Sequence, residues 1–155
     1  AIGRRVAEIA RAFGAKVIYY SASGAPAQEG YEQVDFETLL TLSDIISVHA
    51  PLNEHTEGLI NSKAFEKMKS SCIFLNLGRG PIVDEQALYN ALVKNQIAAA
   101  GLDVLCKEPM SADNPLLKIK DSKRLLITPH IAWASVEART HLMEIIHGQV
   151  KDFFA

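Results

Sequence analysis

Three stretches hold the residues whose types and spacing could do chemistry. "LNLGRG" at 75–80 sets Arg79 between Gly78 and Gly80 at the end of an apolar run. Flanking glycines let backbone approach a ligand, and a guanidinium at a strand end can grip a carboxylate with two parallel hydrogen bonds. "GLDVLCKEP", Gly101 to Pro109, carries Asp103 and Glu108. "TPHIAWAS", Thr128 to Ser135, carries His130. Taken singly, these are a turn arginine, two solvated acids and a structural histidine. Together they differ, because a carboxylate beside an imidazole favours its protonated form and suits proton exchange near neutral pH.

The elements that must position these groups alternate between helix and strand. "RRVAEIARAF" places Val6, Ile9, Ala10 and Phe13 on one helical face, with Gly14 as a stop. "AKVIYY", "DIISVHA", "CIFLNL", "IAAAGLDV" and "RLLITP" are short apolar strands. "DFETLLTLS", "NSKAFEKMK" behind Asn61, "DEQALYNALVKN" behind Asp84, and the long segment behind Ser135 are helices. "SASGAPAQEG" is a loop by composition. This order predicts an α/β fold, a doubly wound parallel sheet with helices on both faces. Ligands then bind beyond the carboxyl ends of the strands. The residues at those ends are Ser21, then His49, Ala50 and Pro51, then Gly78 and Arg79, then Asp103, then His130.

Composition narrows the function classes. The chain has 155 residues, 48% of them hydrophobic and 22% charged, as in an ordinary globular protein forming one domain over residues 1–155. A net charge of -2 argues against nucleic acid or an anionic membrane as partner. No apolar run approaches the ~20 residues of a membrane span. Cys72, at the head of a strand, reads as a core residue rather than half of a disulfide, which fits a cytoplasmic setting. The sequence opens on helix-like residues without a methionine. That points to a piece of a longer polypeptide. "AIG" at residues 1–3 is compatible with the last three positions of a Gly-x-Gly-x-x-Gly dinucleotide fingerprint, Gly3 being its third glycine. The strand before it, central to the sheet, would then be the one the fold lacks.

"LNLGRGPIVDEQAL", "GLDVLCKEP" and "TPHIAWAS", in this order, resemble the D-isomer-specific 2-hydroxyacid dehydrogenases over essentially the whole chain. "HAPLNEHTEGLIN", His49 to Asn61, resembles a further stretch of the same domain, and "HIAWAS" is most similar to the glycerate dehydrogenase (hydroxypyruvate reductase) branch. The resemblance implies a Rossmann-type NAD-binding domain, truncated at its N-terminal strand, and hydride transfer between NAD(H) and a small D-2-hydroxyacid or 2-keto acid. It implies that Arg79 clamps the substrate carboxylate, that His130 exchanges the proton and that Glu108 holds His130. It places Asp103 at the nicotinamide end and Ala1, Ile2 and Gly3 under the pyrophosphate. Ala50, Pro51, Leu77, Gly78, Arg79, His130 and Ala132 line the rest of the cofactor cleft. It also implies a homodimer, to which Trp133 could contribute, and no metal.

Two departures qualify the resemblance. Ser21 stands where the family carries an acidic residue for the adenosine ribose, which leaves NADP as an alternative. "SASGAPAQEG" nevertheless lacks a Lys or Arg to neutralise a 2'-phosphate, so NAD is the expected cofactor. The family's substrate domain is also missing from this sequence. Relatives that sense dinucleotides as corepressors offer a non-catalytic alternative. His141, Glu144 and His147 read as a solvated helix face rather than a metal site, and "KIKDSKR" at 118–124 as a solvated turn.

Overall fold

The structure is a computed structural model that describes residues 2–24 and 28–154. In chain order the main elements are α1 (Ile2–Ala12), β1 (Ile18–Tyr19), β2 (Glu32–Gln33), α2 (Phe36–Leu42), β3 (Ile45–Val48), α3 (Ser62–Lys67) and β4 (Ile73–Asn76). They continue with α4 (Glu85–Val93), β5 (Ala99–Leu102), β6 (Leu125–Ile127) and α5 (Val136–Phe153). Short 3-10 turns at Gly80–Ile82 and Pro115–Lys118 complete the order. Part of the 21–30 loop, residues 25–27, lies outside the described residues, as does Ala1.

The strands form two parallel sheets, β1-β2 and β3-β4-β5-β6. No hydrogen-bonded pairing joins them among the described residues. Helix starts follow the polar residues expected from the sequence. Asn61 accepts from the amides of Lys63 and Ala64, Asp84 from Gln86 and Ala87, and Ser135 from Ala138, each satisfying donors that a first turn leaves free. Asp35 caps α2 in the same way through Thr38. Gly14, at φ 87°, ends α1 in a conformation that costs a Cβ-bearing residue more.

The core is one cluster on one face of the larger sheet. Ile46, Phe74, Ala100 and Leu102 point into it and meet Leu40 of α2, Ala64 and Phe65 of α3, and Ala87, Leu88, Ala91 and Leu92 of α4. Phe65 and Phe74 pack edge to face, 5.5 Å apart, and Cys72 is fully buried beside them as a free thiol. The alternate positions of the same strands are open: Ile45 is 60% exposed, Ile73 40% and Leu126 62%. No residue of α1 or α5 is buried. The strands are apolar on both faces, as two-sided burial requires, yet the helical cover among the described residues is concentrated on one face. No described helix is long and apolar enough to cross a membrane.

Arg124 corrects the expectation of a purely solvated 118–124 turn. Its guanidinium donates to the carbonyls of Leu92 and Ile97 and to Asn95 Oδ1, closing the C-terminal end of α4. A cation there also complements the helix dipole.

Candidate functional site

The four strands of the larger sheet end in one register row, Val48–Asn76–Leu102–Ile127. The segments that follow, from His49, Leu77, Asp103 and Thr128, therefore leave from a common edge. This is where an open parallel sheet binds ligands.

Each neighbouring pair of segments is tied together. A Cβ built on Gly78 would lie 3.2 Å from the Ala50 carbonyl oxygen, so the turn after β4 rests on the segment after β3. A Cβ on Gly80 would lie 1.9 Å from the Leu105 carbonyl oxygen, so only glycine lets that turn meet the segment after β5. Asp103 then bridges to the segment after β6. Its Oδ1 accepts from Thr128 Oγ1 (2.6 Å) and the Ile131 amide (2.9 Å), and its Oδ2 from the Ala132 amide (2.9 Å). Burial works to raise the Asp103 carboxyl, but these three donors and the charge of His130 outweigh it and hold it below its ordinary value.

His130 sits at the tip of this bridge with φ 55°, in the left-handed region. Bonds on either side hold it there: its amide donates to the Thr128 carbonyl, and Trp133 Nε1 donates to its own carbonyl at 2.8 Å. Its Nδ1 lies 2.8 Å from Glu108 Oε2, with both side chains partly exposed. The other Glu108 oxygen accepts the Leu105 amide at 2.9 Å. That backbone bond, followed by the bond to His130, keeps the Glu108 carboxyl below its ordinary range. A charged carboxylate on Nδ1 fixes the tautomer and leaves Nε2 as the nitrogen able to exchange a proton with a ligand.

Arg79 is exposed at the front of the 3-10 turn, where its Nη1 donates to the Gly78 carbonyl. Buried Asn76 shapes this turn, accepting the Gly78 amide and donating to the Arg79 carbonyl. The rest of the guanidinium faces solvent at the same sheet edge.

The residues expected to line a dinucleotide cleft fall into place unevenly. Gly3, in the first turn of α1, would bring a Cβ to 3.4 Å from that of His49, so the helix start packs against the end of β3. A helix start beside strand ends suits a phosphate group. Ala50, Pro51, Leu77, Gly78 and Ala132 are at or next to the sheet edge, small or apolar and at least partly exposed, which fits a flat ring system. Burial depresses the His49 pKa, keeping a neutral imidazole bonded to Ser47 Oγ there. Ser21 follows β1 in the smaller sheet, bonded to Ser23. Asp103 is 5% exposed and largely engaged by Thr128, Ile131 and Ala132, although Oδ2 carries one bond and keeps a lone pair. Among the described residues no cluster of His, Cys, Asp and Glu could hold a metal ion.

Sequence reasoning missed Asn76, Glu85 and Asn114, and it gave Gly80 to close approach of a ligand, whereas the space of its Cβ is taken by the Leu105 carbonyl. Asn76 stood in the quoted motif without a role. Glu85 carries no local signal, because its partners, Cys106 and Asn114, are distant in sequence.

Comparison with known proteins bears on what this edge belongs to. A family model described as "D-isomer specific 2-hydroxyacid dehydrogenase, NAD binding domain" matches residues 1–132. A hydroxypyruvate reductase of Blautia hydrogenotrophica is 44% identical over 154 residues, covering 98% of this chain and 47% of that protein. The structure of D-lactate dehydrogenase from Aquifex aeolicus, complexed with NAD and lactic acid, superposes with a TM-score of 0.90 at 30% identity, covering 99% of this chain and 50% of the other. An acyclic imino acid reductase in complex with NADPH and D-Arg superposes with a TM-score of 0.87 at 39% identity, covering 99% and 48%. The chain spans about half the length of the curated relatives it matches. With these sheets, this bonded edge and these matches, the chain belongs to the D-isomer-specific 2-hydroxyacid dehydrogenase family, as an NAD-binding domain of Rossmann type.

Proposed function

We propose that the protein containing this chain transfers a hydride between NAD(H) and a small D-2-hydroxyacid or 2-keto acid, with glycerate and hydroxypyruvate as the leading pair. The observation that carries this is the 2.8 Å His130–Glu108 pair at the strand edge that also presents Arg79. Arg79 holds the substrate carboxylate through its planar fork. His130 Nε2 gives a proton to the carbonyl oxygen in reduction and takes it back from the hydroxyl in oxidation. Glu108 orients the ring through Nδ1 and stabilises its charged form. When bound, the nicotinamide supplies or accepts the hydride. Ile2 and Gly3 lie toward the pyrophosphate. Ala50, Pro51, Leu77, Gly78 and Ala132 line the cleft, and Asp103 uses its remaining lone pair toward the nicotinamide end. Ser21 faces the adenosine ribose. NAD is preferred over NADP because residues 21–30 contain no Lys or Arg for a 2'-phosphate.

The rest of the protein supplies a strand between β1 and β3 and a substrate-binding domain. The unjoined sheets, the open face bearing Ile45, Ile73 and Leu126, and the half-length match to relatives support this. A homodimer belongs to the same proposal. Met143, Val150 and Phe153 of α5 are more than half exposed and suit cover by a second copy.

The test is consumption of NADH or NADPH by the intact protein with hydroxypyruvate, glyoxylate and pyruvate. We expect turnover with NADH, fastest on hydroxypyruvate. His130→Ala should lower kcat by about 10²–10⁴-fold while cofactor affinity holds. Arg79→Lys should also fail, since an ammonium lacks the fork. Cofactor binding without turnover on any of these acids would overturn the assignment and favour a dinucleotide-sensing role.

A further inference from the structure

Two consecutive backbone amides in the segment after β5 are held by two different carboxylates. The Leu105 amide donates to Glu108 Oε1 at 2.9 Å, and the Cys106 amide donates to Glu85 Oε1 at 2.7 Å. Glu108 is the partner of His130. Glu85 lies in the first turn of α4, a different element, and has no contact with His130 among its bonds.

The second oxygen of Glu85 is equally committed. Oε2 accepts from Asn114 Nδ2 at 2.7 Å. Asn114 is 7% exposed, and its own oxygen caps the Pro115–Lys118 turn by accepting the Leu116 amide. The turn packs against α4, with Leu116 in the core. Glu85 is thus anchored at one end in a rigid corner and grips the Cys106 amide with the other. On its far side, the same Leu105–Cys106 peptide rests on Gly80, where a Cβ would come within 2.0 Å of the Leu105 carbonyl carbon. The Cys106 thiol adds a bond to the Val83 carbonyl at 3.4 Å. The peptide is therefore held on both sides, and it fixes the Leu105 Cα to which the Leu105 amide nitrogen is bonded.

We propose that Glu85 is a positioning residue for the proton-transfer pair. It fixes the Leu105–Cys106 peptide against Gly80, and so sets where the Leu105 amide holds Glu108 against His130. This rests on the proposed role of Glu108 and His130, and extends it to a residue that touches neither substrate nor cofactor. It also ties the arginine turn to the Glu108 segment: Gly80 adjoins Arg79, and Glu85 starts the helix that follows.

The groups facing the Glu108 carboxyl are the Leu105 amide, His130 and the more remote Asp103 charge, of which the amide does most to lower it. Those facing Glu85 are the Cys106 amide and thiol and Asn114, and the charge of Asp84 acts on the same thiol. Loosening the peptide weakens the amide bond first. The Glu108 carboxyl should then titrate at higher pH, and the acid limb of the kcat profile should move with it.

Two variants of the intact protein separate position from charge. Glu85→Asp keeps the charge and withdraws it by one methylene, so it cannot span both partners. Glu85→Gln combined with Asn114→Asp keeps the reach and an oxygen for the Cys106 amide, and turns the new NH2 onto an acceptor instead of the Asn114 donor. We expect Glu85→Asp to lower kcat on the order of tenfold with cofactor KM unchanged. We also expect it to raise the Glu108 titration, followed by carbon NMR of labelled glutamate and assigned with Glu108→Gln. The paired Glu85→Gln, Asn114→Asp protein should recover most of both properties. A normal Glu85→Asp with an impaired paired variant would mean that the charge at 85 matters rather than position, and would overturn the proposal. So would a lowered melting temperature with the Glu108 titration unmoved, or two variants that match the parent. If the parent turns over none of the 2-keto acids, the assigned reaction fails, and the Glu108 titration still decides the role of Glu85.

Discussion

Replacing Asp103 by asparagine exchanges one carboxylate oxygen for an NH2 and removes the joint between the last two strand ends. The carboxylate accepts three hydrogen bonds, from Thr128 Oγ1, the Ile131 amide and the Ala132 amide. An asparagine has one accepting oxygen. In either orientation its NH2 must face a backbone amide that is itself a donor. A bond to a charged group contributes about 1.5–3 kcal/mol, and an amide left facing a donor costs a further 1–3 kcal/mol. With Asp103 only 5% exposed, water relieves little of this. We expect a loss of roughly 3 kcal/mol, equivalent to a fall in Tm of about 6–12 °C for a domain of this size. The pH dependence has a definite sign. The Asp103 carboxyl is lowered in the folded state, so its contribution is complete above its ordinary value of 3.8 and fades as pH falls through the folded value. The gap between parent and Asp103→Asn should therefore be constant near neutrality and narrow only below about pH 4. Melting curves of the two proteins across that range make the measurement. Because the same bonds hold the backbone just after His130, kcat should fall as well. A gap under about 1 kcal/mol at neutral pH, or one that fails to narrow in acid, would refute the assignment of Asp103 as a charged joint.

Other expectations follow from single contacts. Gly80→Ala would drive a methyl into the Leu105 carbonyl, which is backbone and cannot step aside, and should cost about 2–3 kcal/mol in denaturant unfolding. Loss below about 0.5 kcal/mol would mean the two segments are not pressed together. The Cys106 thiol is pushed up to about 11 by burial and by Glu85, so it should resist alkylation at pH 8 although the residue is exposed. Fast labelling there would contradict the placement of its sulfur. Asp84→Ala removes the acceptor for two α4 amides and should destabilise by about 1 kcal/mol, with turnover affected less than by Gly80→Ala.

Much of the scaffold could be read from local patterns because its causes are local. Helix starts at Asn61, Asp84 and Ser135 depend on a side chain bonding amides two or three residues ahead. Parallel strands followed from apolar runs alternating with helical periodicity. That the segments carrying Arg79, Glu108 and His130 follow strands was legible in the apolar runs before them, and sheet topology sends all such segments to one edge. The two-residue strand Glu32–Gln33 was not legible, since nothing in so short a polar stretch competes with its loop. Nor was the part Arg124 plays in closing α4, which depends on carbonyls 27 and 32 residues away.

What the amino-acid order determined by itself is therefore the succession of elements and which residue types stand at the strand ends. The tertiary structure decided how those ends are held together. Gly80 matters because a carbonyl from another segment occupies the space of its Cβ. Asp103 serves as a joint because burial brings three donors to it, and Glu85 became visible only when Cys106 and Asn114 folded against it. Such contacts depend on register and long-range packing, and no spacing along the chain encodes them.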